Sequence, residues 1–451
     1  MKRPTAAGRT IERGGQGFDA AVLGTSFSGR DPGTRPEVLV QANTVFDVLQ
    51  AVRRARRDNL RIAVCSGGHS WAQNHLRDGG LLIDMSRLNT VEVDAERRIA
   101  IAGPGCWAVD LDLQLKRHGL FFPVAHAVDV GLGGFLLQGG FGWNGRNLGL
   151  ACESVVGIDV VTADGQLIHA SADEHPDLFW AARGSGPGFF GVVVRFHLKV
   201  YPRPRTAAIA MQVFRMKHLD EVFLWADRVG PEVPCSVEFQ LLLSRNSPGI
   251  FAPGIEIIAP VITDSWRQAR EDVSFLTRGP LRPKASFTTP LLPMSPSLLS
   301  RIAARRIFPP AMRWSVDNMW SDAPMEQLLP GLRRIADTLP PMPSHVLMLS
   351  WHPPAQRPDM AFSMEGRNYL ALYGEWKNPK DDAKYGGWAA GHMRDLAPFA
   401  KGIQLADENL AQRPARFMSD ANLARLDAIR ATYDPERRFF EWRGRPAAAV
   451  V

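Results

Sequence analysis

The sequence predicts an α+β chain of two units, and three observations carry that expectation. Short β-rich runs alternate with helical ones over residues 36–200. Tyr201-Pro202-Arg203-Pro204 closes that stretch, because two prolines in three residues cannot continue a central strand. At 451 residues the chain exceeds the usual single-domain length, so each half is long enough to bury its own core.

Taken in order, Thr44 is the natural cap of a helix over Val45–Arg57, where Val45, Val48, Leu49 and Val52 recur at helical spacing. Arg53-Arg54-Ala55-Arg56-Arg57 falls on that helix and reads as its solvated face. Leu60–Val64, Leu81–Met85 and Arg98–Ala102 have strand composition, and Ala108–His118 reads as a helix. Val155–Ala163 and Gly191–Val200 are strands, the second nearly continuous in Val, Phe and Leu. Beyond the proline break come amphipathic helices, a proline-rich region from about Pro280 to Pro343, and a strand over Asn368–Trp376. Alternation on that strand puts Tyr369, Ala371, Tyr373 and Glu375 on one face and Leu370, Leu372 and Trp376 on the other. Phe417–Tyr433 is helical again, with Leu423, Leu426, Ile429 and Tyr433 three to four residues apart.

Composition narrows the class. With 45% hydrophobic and 22% charged residues the chain has the balance of a globular protein, and no run approaches a membrane span. The N-terminal residues lack an apolar signal core, so a cytoplasmic protein without a membrane partner is expected. The net charge of +7 is spread along the chain rather than clustered, which argues against nucleic acid. The four cysteines, Cys65, Cys106, Cys152 and Cys235, form no C-x-x-C pair; they are expected as buried thiols, and no metal is expected. Oligomeric state is left open.

Two glycine-rich stretches carry the chemistry. Cys65-Ser66-Gly67-Gly68-His69-Ser70 follows a strand, and its consecutive backbone N–H groups can form a nest for a diphosphate, with His69 leaving the cradle beside the ligand. Seven glycines within Gly131–Gly145 suit close approach of the backbone to a large planar ligand better than a plain helix or strand. A rival is Gly103-Pro104-Gly105-Cys106-Trp107-Ala108, a G-x-G-x-x-A match between a strand and a helix. Against it, Pro104 stiffens the turn and no βαβ repeat follows. Gly186-Pro187-Gly188-Phe189-Phe190-Gly191 leads into a strand and is discarded.

The Cys65–Ser70 segment resembles the phosphate loop of the vanillyl-alcohol-oxidase and p-cresol-methylhydroxylase (PCMH) flavoproteins, in their berberine-bridge-enzyme-like branch. Collinear matches follow: Arg35-Pro36, Gly80–Ser86, Gly131–Gly134 leading to Gly139–Gly142, Val161–Gly165, Asp177–Gly184, Tyr433-Asp434-Pro435 and Phe439-Phe440. They cover about residues 30–205 and 400–440. The resemblance implies a PCMH-type fold: an FAD-binding domain over residues 30–204, a substrate domain of antiparallel sheet backed by helices over 205–404, and a return to the first domain over 405–451. It implies FAD held covalently through His69, with Ser66, Gly67, Gly68 and Ser70 around it. Val130, Gly131, Gly133, Gly134, Gly139, Gly142, Val193 and Asn409 are the further flavin-side positions it implies.

Departures from the family are informative. Where many members carry a second, cysteinyl flavin link this chain has Ala127, so a single link is expected. Val130 occupies the place where valine accompanies access of O2 to the flavin, which favours an oxidase producing H2O2 over a dehydrogenase. A flavin-binding protein without turnover is the third alternative. Tyr369, and after it Tyr373, are the candidate catalytic residues over the flavin, sheet packing being the other reading. Asp407 replaces a common tyrosine; it would favour a cationic or polyhydroxy substrate, unless it is a plain surface aspartate. Trp314, Trp320, Trp351 and His352 either line an aromatic pocket or fill the core. The substrate class stays broad: a small alcohol, an amine or a sugar-like molecule.

Overall fold

The computed structural model describes residues 8–352, 354 and 356–445. Four strands open the chain, β1 (Arg9–Glu12), β2 (Val38–Gln41), β3 (Ile62–Cys65) and β4 (Leu81–Asp84), in the sheet order β1-β2-β4-β3. The Val45–Arg57 helix packs Val48, Ala51, Val52 and Ala55 inward. Thr44 caps it reciprocally: its hydroxyl accepts from Asp47 N at 3.2 Å while the Asp47 carboxylate accepts from Thr44 N at 2.9 Å. Arg54 pairs with Glu12 and Asp58, and Arg57 with Asp58, so the basic run is a partly neutralised solvent face. β3 begins two residues later than the composition suggests, because Leu60 N still donates to Ala55 O at 2.8 Å and completes the turn after the helix.

Next come β5 (Val91–Asp94), β6 (Ile99–Ala102), β7 (Leu120–Phe121), β8 (Val155–Val161), β9 (Leu167–Ser171), β10 (Val192–Lys199) and β11 (Tyr201–Pro202). β7 and β11 form a small ribbon; the others form an antiparallel sheet in the order β5-β6-β10-β8-β9. That topology disposes of the rival fingerprint. Gly103–Ala108 does lie between β6 and the Ala108–Lys116 helix, yet β6 pairs antiparallel with both neighbours and no βαβ unit forms. Its glycines serve close packing instead: a Cβ on Gly103 would meet Leu88 O at 2.2 Å.

The remaining strands are β12 (Thr206–Arg215), β13 (Phe239–Ser247), β14 (Ala252–Thr263), β15 (Phe287–Thr288), β16 (Leu292–Pro293), β17 (Arg313–Ser321), β18 (His345–Ser350) and β19 (Asn368–Trp376). They make one antiparallel sheet, β15-β12-β14-β13-β18-β19-β17, with β16 also on β12. One face carries Leu241, Ile257, Met348, Leu370 and Leu372 into a core with the Leu219–Val229 and Met325–Thr338 helices. The other face carries Tyr369, Ala371 and Tyr373 into an aromatic cluster with Trp314, Trp320 and Trp351, as alternation along β19 requires.

The C-terminal segment packs back on the first part of the chain. The Asp420–Tyr433 helix starts three residues after Phe417, where Ser419 accepts from Asn422 N and sets the N-cap. Tyr433 donates to Asp177 at 2.9 Å, and Ile62 N donates to Arg438 O at 2.7 Å, tying residues 438–440 to the edge of β3. Among the described residues no helix is long and apolar enough to cross a membrane.

Candidate active site

A cavity of about 600 Å³ runs from the Cys65–Ser70 loop and the Val130–Phe141 segment to the inner face of the large sheet. The loop turns through Gly68, whose φ of +69° and contact with Thr25 O, 1.9 Å from where a Cβ would sit, admit no side chain. Gly67 and Gly131 press backbone to backbone, since a Cβ on Gly67 would lie 2.5 Å from Gly131 N. Among the described residues the N–H groups of Gly67, His69 and Ser70 donate to no protein acceptor, which is the property an anion nest requires. Gly134 also lines the cavity, and a Cβ there would project into open space. A strip of unpaired donors leading to a flat glycine wall fits a dinucleotide flavin.

His69 Nε2 lies 2.9 Å from Asp129 Oδ1, and its ring stacks on Phe27 at 4.2 Å between centroids. Burial would raise the Asp129 pKa, but the bond from His69 outweighs it and the carboxyl sits below its usual range. The anionic partner fixes the imidazole through one nitrogen, and Nδ1 has no hydrogen-bond partner among the described residues. Neither Asp129 nor Phe27 was legible beforehand: Phe27 is forty-two residues upstream and nothing local marks it as a ring partner.

Ser66, Gly67, Gly68, His69, Ser70, Val130, Gly131, Gly133, Gly134 and Val193 all line this cavity, and so do Tyr369 and Tyr373. Three expected flavin-side positions do not. Gly139 backs onto Phe362 and Leu150, Gly142 bridges to Ala125, and the Asn409 carbonyl accepts from Gln412 and Arg413 N. Their neighbours Gly140, Phe141 and Asp407 take the lining places. A sequence match locates a segment, and the side of the segment that faces the cavity is set by packing.

The chemical centre is Asp407. Its Oδ1 accepts from Trp71 Nε1 at 2.6 Å, and its Oδ2 accepts from Tyr373 OH at 2.8 Å and from Tyr369 OH. It lines the cavity and is no surface aspartate. Burial raises the Asp407 pKa, and the three donors work against that rise. Burial first, and the neighbouring carboxylate second, push both tyrosines well above their ordinary pKa, so each remains a phenol that donates. Trp314 supports the assembly by packing on Trp71 at 4.4 Å.

Behind Tyr373 lies His345, stacked on its ring at 4.6 Å and, through Nδ1, 3.3 Å from Glu375 Oε1. Burial pushes His345 down to about 3 and Glu375 up to about 10, so both are neutral near pH 7. Away from the cavity, Asp159 bridges His169 and His197 across β8, β9 and β10, with its second oxygen on Arg195.

Comparison with known proteins agrees with this geometry. Residues 36–171 match the FAD binding domain family. The FAD-linked oxidoreductase penO of Penicillium crustosum is 32% identical over 437 residues, 95% of each chain. (R)-6-hydroxynicotine oxidase of Paenarthrobacter nicotinovorans is 35% identical over 198 residues, 44% of this chain and 42% of that one. The crystal structure of 6-hydroxy-D-nicotine oxidase from Arthrobacter nicotinovorans superposes with a TM-score of 0.83 at 24% identity, over 97% of this chain and 98% of that one.

Proposed function

The chain belongs to the FAD-linked oxidoreductases, and from this premise we propose that it is a berberine-bridge-enzyme-like alcohol oxidase that holds FAD on His69. The observation that carries the reading is the Asp407 carboxylate, clamped by Trp71, Tyr369 and Tyr373 on the cavity wall. An alcohol needs a base for its hydroxyl proton, whereas an amine can be oxidised without one.

The Ser66–Ser70 loop would hold the diphosphate, and Gly131, Gly133 and Gly134 would receive the ring system. FAD held there would supply the two-electron acceptor for the hydride of the alcohol carbon, with O2 as the terminal oxidant and H2O2 as the product. Asp129 orients the His69 imidazole for attachment by holding Nε2. No cysteine stands at position 127, so His69 is the single proposed link. Asp407 takes the hydroxyl proton, directly or through the Tyr369 phenol, which gives up its own proton to the carboxylate as it receives the substrate's. Tyr373 and Trp71 hold the carboxylate in place for that transfer. This moves the base from the tyrosines to the aspartate. Val130 lines the cavity, and a larger side chain at that position would take up space that O2 would need.

The test is a panel of alcohols, amines and sugars under air, with oxygen uptake and peroxide measured together. Stoichiometric peroxide from alcohols is expected. Rapid anaerobic reduction followed by slow reoxidation in air would replace the oxidase with a dehydrogenase.

A further inference from the structure

The half of the cavity away from the loop is walled by one face of the large sheet. Ile209 and Met211 on β12 stand opposite Pro260 and Ile258 on β14, and Leu242 on β13 stands opposite Leu347 on β18. These side chains share the face that ends at Tyr369 and Tyr373 on β19. From β12 to β19 there are four inter-strand steps, which at about 4.8 Å each make a trough roughly 19 Å long. The Pro296–Arg306 helix covers it, presenting Leu299, Ile302, Ala303 and Arg306 at steps of three and four. At the mouth, Leu292 and Ile302 remain 38% and 46% exposed, although both also line the cavity.

Polar groups along this trough are few, and each named one already bonds a protein partner. Arg306 is paired with the buried Glu256, with one contact at 2.7 Å. Gln240 Nε2 donates to Glu238 at 3.0 Å, and the Thr289 hydroxyl accepts from Met211 N at 3.0 Å. A polyol lying here would give up its water for few donors and acceptors in return, whereas a hydrocarbon loses no hydrogen bond. We infer that the substrate is an alcohol carried on an elongated hydrocarbon skeleton, its hydroxyl at Asp407 and its apolar body under the Pro296–Arg306 helix. This rests on the alcohol-oxidase reading and narrows it, excluding the polyhydroxy class that a lone aspartate at position 407 suggests.

Equilibrium binding to the holoprotein tests the inference independently of turnover. Prenol, geraniol, farnesol, their methyl ethers and glucose are titrated, with quenching of tryptophan fluorescence and perturbation of the flavin spectrum as readouts. Affinity is expected to rise by about tenfold or more with each isoprene unit, for alcohols and ethers alike, with glucose showing no saturation. Ile302→Lys, at a half-exposed position that tolerates charge, should weaken farnesol at least about fivefold and leave prenol unchanged; Met211→Gln should act in the same direction. Affinity independent of chain length, or glucose binding as tightly as farnesol, would overturn the inference. Chain-length-dependent binding of the ethers without flavin reduction by any alcohol would keep the apolar trough as the binding site but overturn the alcohol, and with it the oxidase reading.

Discussion

At the scale of single residues, the account rests on where protons and the flavin are held. Asp407→Asn keeps the shape and the hydrogen bond from Trp71 but removes the base, so the rate of flavin reduction should fall about 10²–10⁴-fold with substrate affinity little changed. Burial raises the Asp407 pKa, so the acid limb of the wild-type rate profile should lie above the ordinary carboxylate range. Tyr373→Phe removes an opposing donor and should move that limb further up. His69→Ala should release flavin on acid denaturation, whereas the wild type should retain it on the peptide containing His69. Glu375 offers a separate check on stability. Its pKa is raised from the ordinary 4.5 to about 10, so the folded state keeps a proton that the unfolded chain gives up, and stability drains away as pH climbs from 4.5 towards 10. Glu375→Gln should therefore raise Tm at pH 8, with the gain shrinking to nothing below pH 4.5. A gain that is equal at both ends would contradict the neutral buried acid.

At the scale of elements, the short Gly145–Leu148 turn is pinned across to the segments flanking β13 and β18 by one buried guanidinium. Arg146 donates to the carbonyls of Trp351, Val237 and Val233 at 3.0, 2.9 and 3.0 Å. Arg146→Met would strand those carbonyls and should cost about 3 kcal/mol, read as a lower Tm. Much at this scale was legible in the sequence. The Thr44 cap, the alternation of Tyr369, Ala371 and Tyr373 against Leu370 and Leu372, and the strand character of β10 all follow from local pattern. The glycine-rich stretch was harder, because its glycines serve contacts with residues distant in sequence, and the same stretch still contains a Leu132–Leu137 helix. The clamp on Asp407 joins residues 71, 369, 373 and 407, and no periodicity links positions three hundred residues apart. Asp129 was passed over beside a named Val130, since only the fold shows that its carboxylate meets His69.

At the scale of the molecule, loop, sheet and covering helix line one continuous cavity, with the unpaired donors of the glycine loop at one end, the Asp407 carboxylate in the middle and an apolar trough at the other. Val130 belongs to this scale because it lines the cavity that O2 must enter if the proposed oxidase reaction holds. Val130→Leu should slow reoxidation by air about tenfold or more while anaerobic reduction stays unchanged, and equal reoxidation in the two proteins would exclude a gate at that residue. The most direct measurement is anaerobic stopped-flow reduction of the bound flavin by farnesol across pH, in the wild type and in Asp407→Asn. The account predicts fast reduction in the wild type that declines as Asp407 becomes protonated, and slow reduction by Asp407→Asn at every pH with farnesol affinity retained. Reduction by Asp407→Asn at the wild-type rate, or no reduction of the wild type by farnesol or any other alcohol, would contradict it.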